Sequence, residues 1–479
     1  MKTFTKISYL YIIIFFCSCN TKQKKEIIAE ELNKPNIIFI LADDLGWGDV
    51  GYNGQTKIKT PNIDQLAKGG MIFDRMYAGS SVCGPSRASL LTGMHTGHSS
   101  VRGNPNWTLS GTPVDIDSSE VTIAEVLKKA DYYTGIIGKW GLAENLEAGR
   151  PNQQGFDYFY GFNKHKPAHN YYPEQLWEND SLLTLKQNNT QNKQGNHVQE
   201  LFTEKALEFI NDSKNKPFFL YLAYTTPHFE LTIPDQYKKP YDNLNWPLRK
   251  MVPKGNYLHD KNGHVTYAAM VSKMDADIAR LIEKLKENNQ YENTIIIFTS
   301  DNGHEYDEVN NEFFNSNGPY RGRKRNLYDG GIHMPFLVSW PLKIKAGQVT
   351  EHLSAFWDVK ATLADLTDVP LSKATDGISF LPTILGKKVQ AEHDYLYWEF
   401  NEADGPHQAL LKGFWKLIYK VEKDRYELYN LNVDPSENEN VIDQDIDAAK
   451  ELKTKLLFAR TEHPEFPLTR RPNPWDKNK

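Results

Sequence analysis

The stretch "NIIFILADDLG", Asn36–Gly46, sets the fold: an unbroken apolar, β-rich run that stops at two adjacent acids. A run with no polar alternation fits a strand buried on both faces, as in parallel sheets. The pattern recurs. "TGIIG" ends in "KW", "PFFLYLAY" in "TTPH", "TIIIFTS" in "DNG" and "PFLVSW" in Pro341. Helical patterns lie between these runs, including "TPNIDQLAKGG", "TIAEVLKKA" and "AAMVSKMDADIARLIEKLKEN". Strand–helix alternation predicts an α/β fold: a large, mainly parallel central sheet flanked by helices. Ligands of such sheets bind beyond the carboxyl ends of the strands, where the polar residues above fall. The aromatic, amide-rich stretch from Gln153 to Gln199 has weak periodicity and reads as long loops. From about Ala391 the runs "YLYWEF", "QALLKGFWKLIYK" and "YELYNL" precede a helical "DIDAAKELKTKLLFARTEH". These predict a smaller C-terminal α+β subdomain on a short antiparallel sheet, with boundaries of 34–385 and 386–479 for the two units.

Composition narrows the class. Hydrophobic content of 39%, charge of 24% and a net charge of −5 are those of a globular protein without a basic field. They speak against a nucleic-acid partner, so an anionic ligand must be met by local charge. Lys2 and Lys6 precede the apolar run Ile7–Phe16, too short to span a bilayer comfortably, and "CSCN" follows. Residues 1–18 read as an export signal and 19–33 as a polar tether. "FCSC" resembles a lipobox with Cys19 as the lipidated residue, which predicts a lipoprotein of the periplasm, outer membrane or cell surface that meets the membrane only through its lipid. Of three cysteines, Cys83 alone then remains in the folded part. A lone cysteine retained after export invites a chemical reading; an inert buried cysteine is the alternative.

Asp43–Asp44 and Asp301–Asn302 each follow a predicted buried strand. Either pair alone serves equally well as a turn or helix cap. Matched positions after two strands favour one calcium ion, since converging carboxylates repel one another without a cation. Cys83 opens "CGPSRASLLTG", with Pro85 suited to a first helical turn and Gly93 to the end. The cysteine then lies at a helix N-terminus, where N–H groups favour anions, with Arg87 on a similar face. Three residues separate Cys83 from Arg87, too few for the cysteine-phosphatase loop.

"CGPSRASLLTG" resembles the signature of the type I sulfatases, members of the alkaline-phosphatase-like superfamily, and the resemblance spans nearly the whole mature chain. It implies oxidation of Cys83 to formylglycine by a formylglycine-generating or anaerobic sulfatase-maturing enzyme. "ILADDLGWGDVGYNG" and "FTSDNG" resemble the family's metal loops, which makes Asp43, Asp44, Asp301, Asn302 and modified Cys83 calcium ligands. "GKW", "TTPH" and "GPYRGRKRNLYDGGIHMP" carry over Lys139, His228 and Lys324. "FWKLIYK…YELYNLNVDPSEN" resembles the family's C-terminal subdomain. The implied reaction is hydrolysis of a sulfate ester. A hydrated aldehyde attacks sulfur with one oxygen while the other later expels sulfate. Arg87 holds the nucleophile, Lys139 and Lys324 neutralise sulfate, and His228 protonates the leaving oxygen or binds sulfate.

One departure stands out. The family often has histidine two residues after the lysine, but here "GKWGLAE" places Gly141. A Lys-Trp-Gly arrangement also occurs among bacterial relatives; His169 and His304 are candidates for the missing group, or ordinary loop histidines. The stretch Asp157–Asp180, with His165 and His169, offers aromatic faces and amides to a sugar, or simply packs as a loop. Arg102 and Asn104, soon after the signature helix, are expected to face substrate together with His169 and His304. The resemblance implies a sulfated carbohydrate partner: an algal glycan such as ulvan or carrageenan, or a glycosaminoglycan. The alternatives are a phosphodiesterase or phosphonate hydrolase of the same superfamily, and a catalytically lapsed glycan-binding protein.

Overall fold

A computed structural model describes residues 34–145, 149–250, 260–305, 312–371, 375–444 and 446–470. The expected export signal (1–18) and tether (19–33), with Cys19, lie outside these residues. The Asn36–Leu41 run forms a strand, β1 (Asn36–Ala42), in which every residue is buried. It stands in the middle of the sheet, parallel to β8 (Phe218–Ala223), with Ile37 opposite Phe219, and to β9 (Thr294–Ser300), with Ile37 opposite Ile295. Its side chains alternate between two cores. Ile38, Ile40 and Ala42 join the core that includes the helices Pro61–Gly69, Val198–Asp212 and Gly263–Glu287. Ile37, Phe39 and Leu41 join the opposite core, with the helices Cys83–Thr92, Ile123–Lys128 and Trp357–Leu366. Burying each of the large side chains contributes about 1.5–3 kcal/mol, which explains why both faces of the run are apolar.

The full sheet has ten strands, in the order β11-β2-β10-β9-β1-β8-β4-β5-β6-β7. The remaining members are β2 (Met71–Phe73), β4 (Tyr133–Lys139), β5 (Tyr158–Phe162), β6 (Gln175–Glu178), β7 (Ser181–Thr184), β10 (Phe336–Ser339) and β11 (Gln348–Thr350). The central strands β9, β1, β8, β4 and β5 are parallel. The flanks reverse: β10 runs antiparallel to β9 and β2, and β6 pairs antiparallel with β5 and β7. The 153–199 stretch is therefore not only loop, since it supplies three strands. Their pattern is weak because they form a sheet flank: β7 is largely exposed and β6 partly so. A small pair joins β3 (Met76–Tyr77) to β12 (Ser354–Ala355).

Toward the C-terminus, β13 (Leu396–Phe400), β14 (His407–Lys412), β15 (Trp415–Lys420) and β16 (Arg425–Asn430) form an antiparallel sheet. Leu410, Leu417 and Leu428 on one face pack with Leu452 and Leu456 of the helix Ile446–Leu456. The other face meets the main body, where Trp398 Nε1 donates to the Ala78 carbonyl at 2.8 Å.

Candidate active site

Because five neighbouring strands run parallel, their C-terminal ends open on one edge. β1 delivers Asp43 and Asp44, β9 delivers Asp301 and Asn302, β4 ends in Lys139, and β8 leads to His228. β5 leads to His165 and His169. Against this edge stands the Cys83–Thr92 helix, buried along its whole length. Gly93, in the left-handed region at φ 71°, ends it by donating to the Ser89 carbonyl. Ser86 fixes its first turn, donating to the Asp301 carbonyl at 2.5 Å while accepting from the Gly79 N–H at 3.1 Å. The free Gly84 N–H donates to Asn104 Oδ1 at 2.9 Å.

Arg87 uses its fork to tie two strand ends together. Its Nε and Nη2 reach Asp301 Oδ2 at 2.9 and 2.8 Å, and Nη1 donates to the Lys139 carbonyl at 2.9 Å. Lys139 Nζ donates to Asp43 Oδ2, and Lys324 Nζ to Asp44 Oδ2, each at 2.7 Å. His228 Nε2 lies 3.4 Å from Asp44 Oδ2. Asn302 Nδ2 donates to Asp44 Oδ1 at 2.7 Å, and the Asp44 N–H to Asp301 Oδ1 at 3.1 Å. The sequence candidates Asp43, Asp44, Arg87, Lys139, His228, Asp301, Asn302 and Lys324 thus form one buried cluster around Cys83.

Electrostatics pull the two central acids apart. Burial raises both carboxyls; at Asp43 this is overcome by Lys139, His228, Arg87 and Lys324, which hold it well below the usual range. At Asp301 burial and the neighbouring Asp43 win, and the carboxyl is raised. Burial also raises the Cys83 thiol above its ordinary value, against the pull of Lys139 and Lys324. Two buried oxygens, Asp43 Oδ1 and Asn302 Oδ1, have no hydrogen-bond partner. Ligand atoms of Asp43, Asp301 and Cys83 lie within 4.8 Å of one another. Hard, unpartnered oxygens among crowded carboxylates fit a divalent cation.

The remaining candidates divide. Asn104 is at the site, its Oδ1 3.9 Å from Cys83 Sγ. His169 stacks on His228 with ring centroids 4.2 Å apart. His304 is wholly buried, and its carbonyl accepts the Lys324 N–H at 3.2 Å. Arg102 turns away from an expected place beside substrate. Its guanidinium, 2% exposed, donates to the Ser99 carbonyl and to Thr461, tying the loop to the C-terminal region. Two further residues reach the site. His165 Nε2 lies 3.8 Å from Cys83 Sγ, and Glu402, past β13, accepts the Asn104 N–H at 2.7 Å. His165 was marked in the sequence only by its place in the aromatic stretch. Nothing near Glu402 in the chain signals its contact, which the fold creates across 298 positions.

Comparison with known proteins agrees with this geometry. Residues 35–369 match the family model described as "Sulfatase", and residues 321–462 match "N-sulphoglucosamine sulphohydrolase, C-terminal". The chain is 30% identical to an N-acetylgalactosamine-6-O-sulfatase of Bacteroides thetaiotaomicron, over 94% of this chain and 97% of that one. It is 32% identical to the mouse N-acetylgalactosamine-6-sulfatase, over 91% and 79%. Among solved structures, Ps i-CgsB in complex with k-i-k-neocarrahexaose superposes with a TM-score of 0.76 at 29% identity, over 91% of this chain and 95% of that one. With the strand-end acids, the helix-borne cysteine and the two lysines in one cluster, these matches place the chain in the sulfatase family, as a sulfuric ester hydrolase.

Proposed function

We propose that the protein hydrolyses sulfate esters on a sulfated polysaccharide or its oligosaccharides, with Cys83 oxidised to formylglycine and one calcium ion held by Asp43, Asp44, Asp301, Asn302 and residue 83. The observation that carries this reading is the setting of Cys83: at a helix start, within 4.8 Å of the Asp43 and Asp301 ligand atoms, in a pocket that also holds Lys139 and Lys324. Asp43, Asp44 and Asp301 are balanced in charge by Arg87, Lys139 and Lys324. A divalent cation added to that balanced set leaves the pocket positive, ready for a sulfate group. When bound, the cation supplies Lewis acidity that lowers the pKa of the attacking hydroxyl.

The residues then divide the work. Arg87, set between the Asp43 and Asp301 carboxylates, holds the charge of the nucleophile. Lys139 and Lys324 neutralise sulfate oxygens as charge develops. His228 Nδ1 donates to the Phe229 carbonyl, which fixes the ring with Nε2 toward Asp44; a proton taken up at Nε2 along with the anionic substrate would then pass to the leaving alcohol oxygen.

The carbohydrate class is supported by the N-acetylgalactosamine-6-O-sulfatase relative and by the neocarrahexaose-bound neighbour. A galactose-based glycan, carrageenan-like or glycosaminoglycan-like, is the first choice, with ulvan next. The "FCSC" segment supports export as a lipoprotein to the periplasm or outer membrane. The test is sulfate release, read by ion chromatography, from N-acetylgalactosamine 6-sulfate, carrageenan oligosaccharides and ulvan oligosaccharides, beside matched phosphate esters. Release from a sulfated sugar supports the reading; activity confined to phosphate or phosphonate esters overturns it.

A further inference from the structure

We propose that His165 fills the catalytic place that Gly141 leaves empty, and is the proton acceptor that drives sulfate off residue 83. The inference rests on the sulfatase reading above. Gly141 follows β4 with φ +75°, a conformation that disfavours any side chain. A Cβ built there would stand 3.7 Å from His165 Nδ1 and 3.7 Å from Lys139 Cε. Position 141 and the imidazole sent by the loop after β5 therefore border the same space, in ordinary van der Waals contact. That imidazole presents Nε2 to Cys83 Sγ at 3.8 Å, while its buried Nδ1 has no hydrogen-bond partner.

The local structure holds the ring in place. The His165 N–H donates to Glu144 Oε1 at 2.5 Å, so the loop after β4 clamps the loop after β5. The Gly141 N–H donates to the Asn163 carbonyl at 3.0 Å, a second tie between the same loops. On its other side His165 meets His169 edge to face, with centroids 5.0 Å apart. His169 in turn stacks on His228. His228 faces Asp44, whereas His165 Nε2 stands against the cysteine.

The step is balanced within the site. After transfer, residue 83 carries sulfate on one oxygen and a free hydroxyl on the same carbon. The hydroxyl proton passes to His165 Nε2. The electron pair released on that oxygen forms the carbonyl, the bond from the carbon to the ester oxygen breaks, and sulfate leaves with that oxygen. Water then adds across the carbonyl to restore two hydroxyls, and the ring gives its proton to solvent.

The test uses full-length protein matured at position 83, with radiolabelled 4-nitrophenyl sulfate, N-acetylgalactosamine 6-sulfate and a carrageenan hexasaccharide as probes. His165→Ala and His165→Gln are compared with His169→Ala and wild type. Aldehyde content and thermal melting show which variants are folded and matured. The expected result for either His165 variant is a first turnover of about one alcohol per enzyme. Steady turnover should then fall by about 100-fold or more, with labelled sulfate kept on the protein through gel filtration. His169→Ala should retain no label. Full steady turnover in a folded His165 variant, or parallel loss of first turnover and steady rate without retained label, would overturn the proposal alone. Matured wild type that is silent on all three probes would overturn the sulfatase reading, and this inference with it.

Discussion

Asp43 illustrates how one residue serves two masters. One oxygen takes the Lys139 ammonium, while the other stays buried and unpartnered for a cation. Asp43→Asn keeps the shape but removes a charged ligand. Calcium content, read by atomic emission, should fall, and sulfate release should drop by about 100-fold or more, as for loss of one electrostatic contributor. Arg87 works through geometry as well as charge. Arg87→Lys keeps the charge but loses the fork that spans Asp301 and the Lys139 carbonyl, so kcat/KM should fall on the order of 100-fold with little change in aldehyde content. An Arg87→Lys enzyme with native kinetics would remove the fork from the account. At this scale the sequence was informative wherever chemistry sits beside a strand end. Asp43–Asp44 and Asp301–Asn302 are chain neighbours, so their pairing shows without a fold. The departure at Gly141 shows in the sequence, but only the fold brings His165, from the loop after β5, to 3.8 Å from the Cys83 sulfur. Arg102 donates to Ser99 and Thr461, contacts that its place soon after the signature helix does not signal.

Among the elements, the C-terminal sheet braces the loop that carries Lys324. Lys416 of β15 is fully buried and pairs with Asp329 Oδ1 at 2.5 Å and Glu437 Oε1 at 2.9 Å. Glu437 also accepts the Asp329 N–H at 2.7 Å, five residues on from Lys324. Burial and the neighbouring Asp329 raise the Glu437 carboxyl to about 8, so Lys416→Met would strand the Asp329 carboxylate and should cost about 3–5 kcal/mol in urea unfolding, because breaking a buried pair leaves charge uncompensated. The pH effect has a defined sign. Burial raises the Asp329 carboxyl, but Lys416 and His333 overcome this and hold it well below the unfolded value. Its stabilisation is therefore present above the unfolded carboxylate range and lost as pH falls through the folded value. The wild-type urea midpoint should fall on acidification below about pH 4, and less so in Lys416→Met. An equal acid response in both proteins would contradict this brace. The buried strands were legible because both faces must be apolar. The β5–β7 flank was not, because β7 is largely exposed and carries no continuous apolar run.

Across the whole molecule, parallel topology is what makes the site. Five strands drawn from widely separated parts of the chain share one direction, so their ends deliver acids, a lysine and three histidines to one edge. A cation bound there joins β1 to β9 and should stabilise the folded state. Removing it with a chelator should abolish turnover and lower stability by about 2.7 kcal/mol relative to protein at a hundredfold excess over Kd, with recovery on adding calcium back. Activity untouched by exhaustive chelation would exclude the metal. The central claim is that Cys83 acts only after oxidation. Its most direct test is peptide mass spectrometry of residue 83 in active protein, across preparations matured to different extents, with sulfate release measured on each. The account predicts the aldehyde at position 83 and activity in proportion to its fraction, with Cys83→Ser inactive in a host that matures only cysteine. Full activity in protein carrying only the unmodified thiol would contradict it.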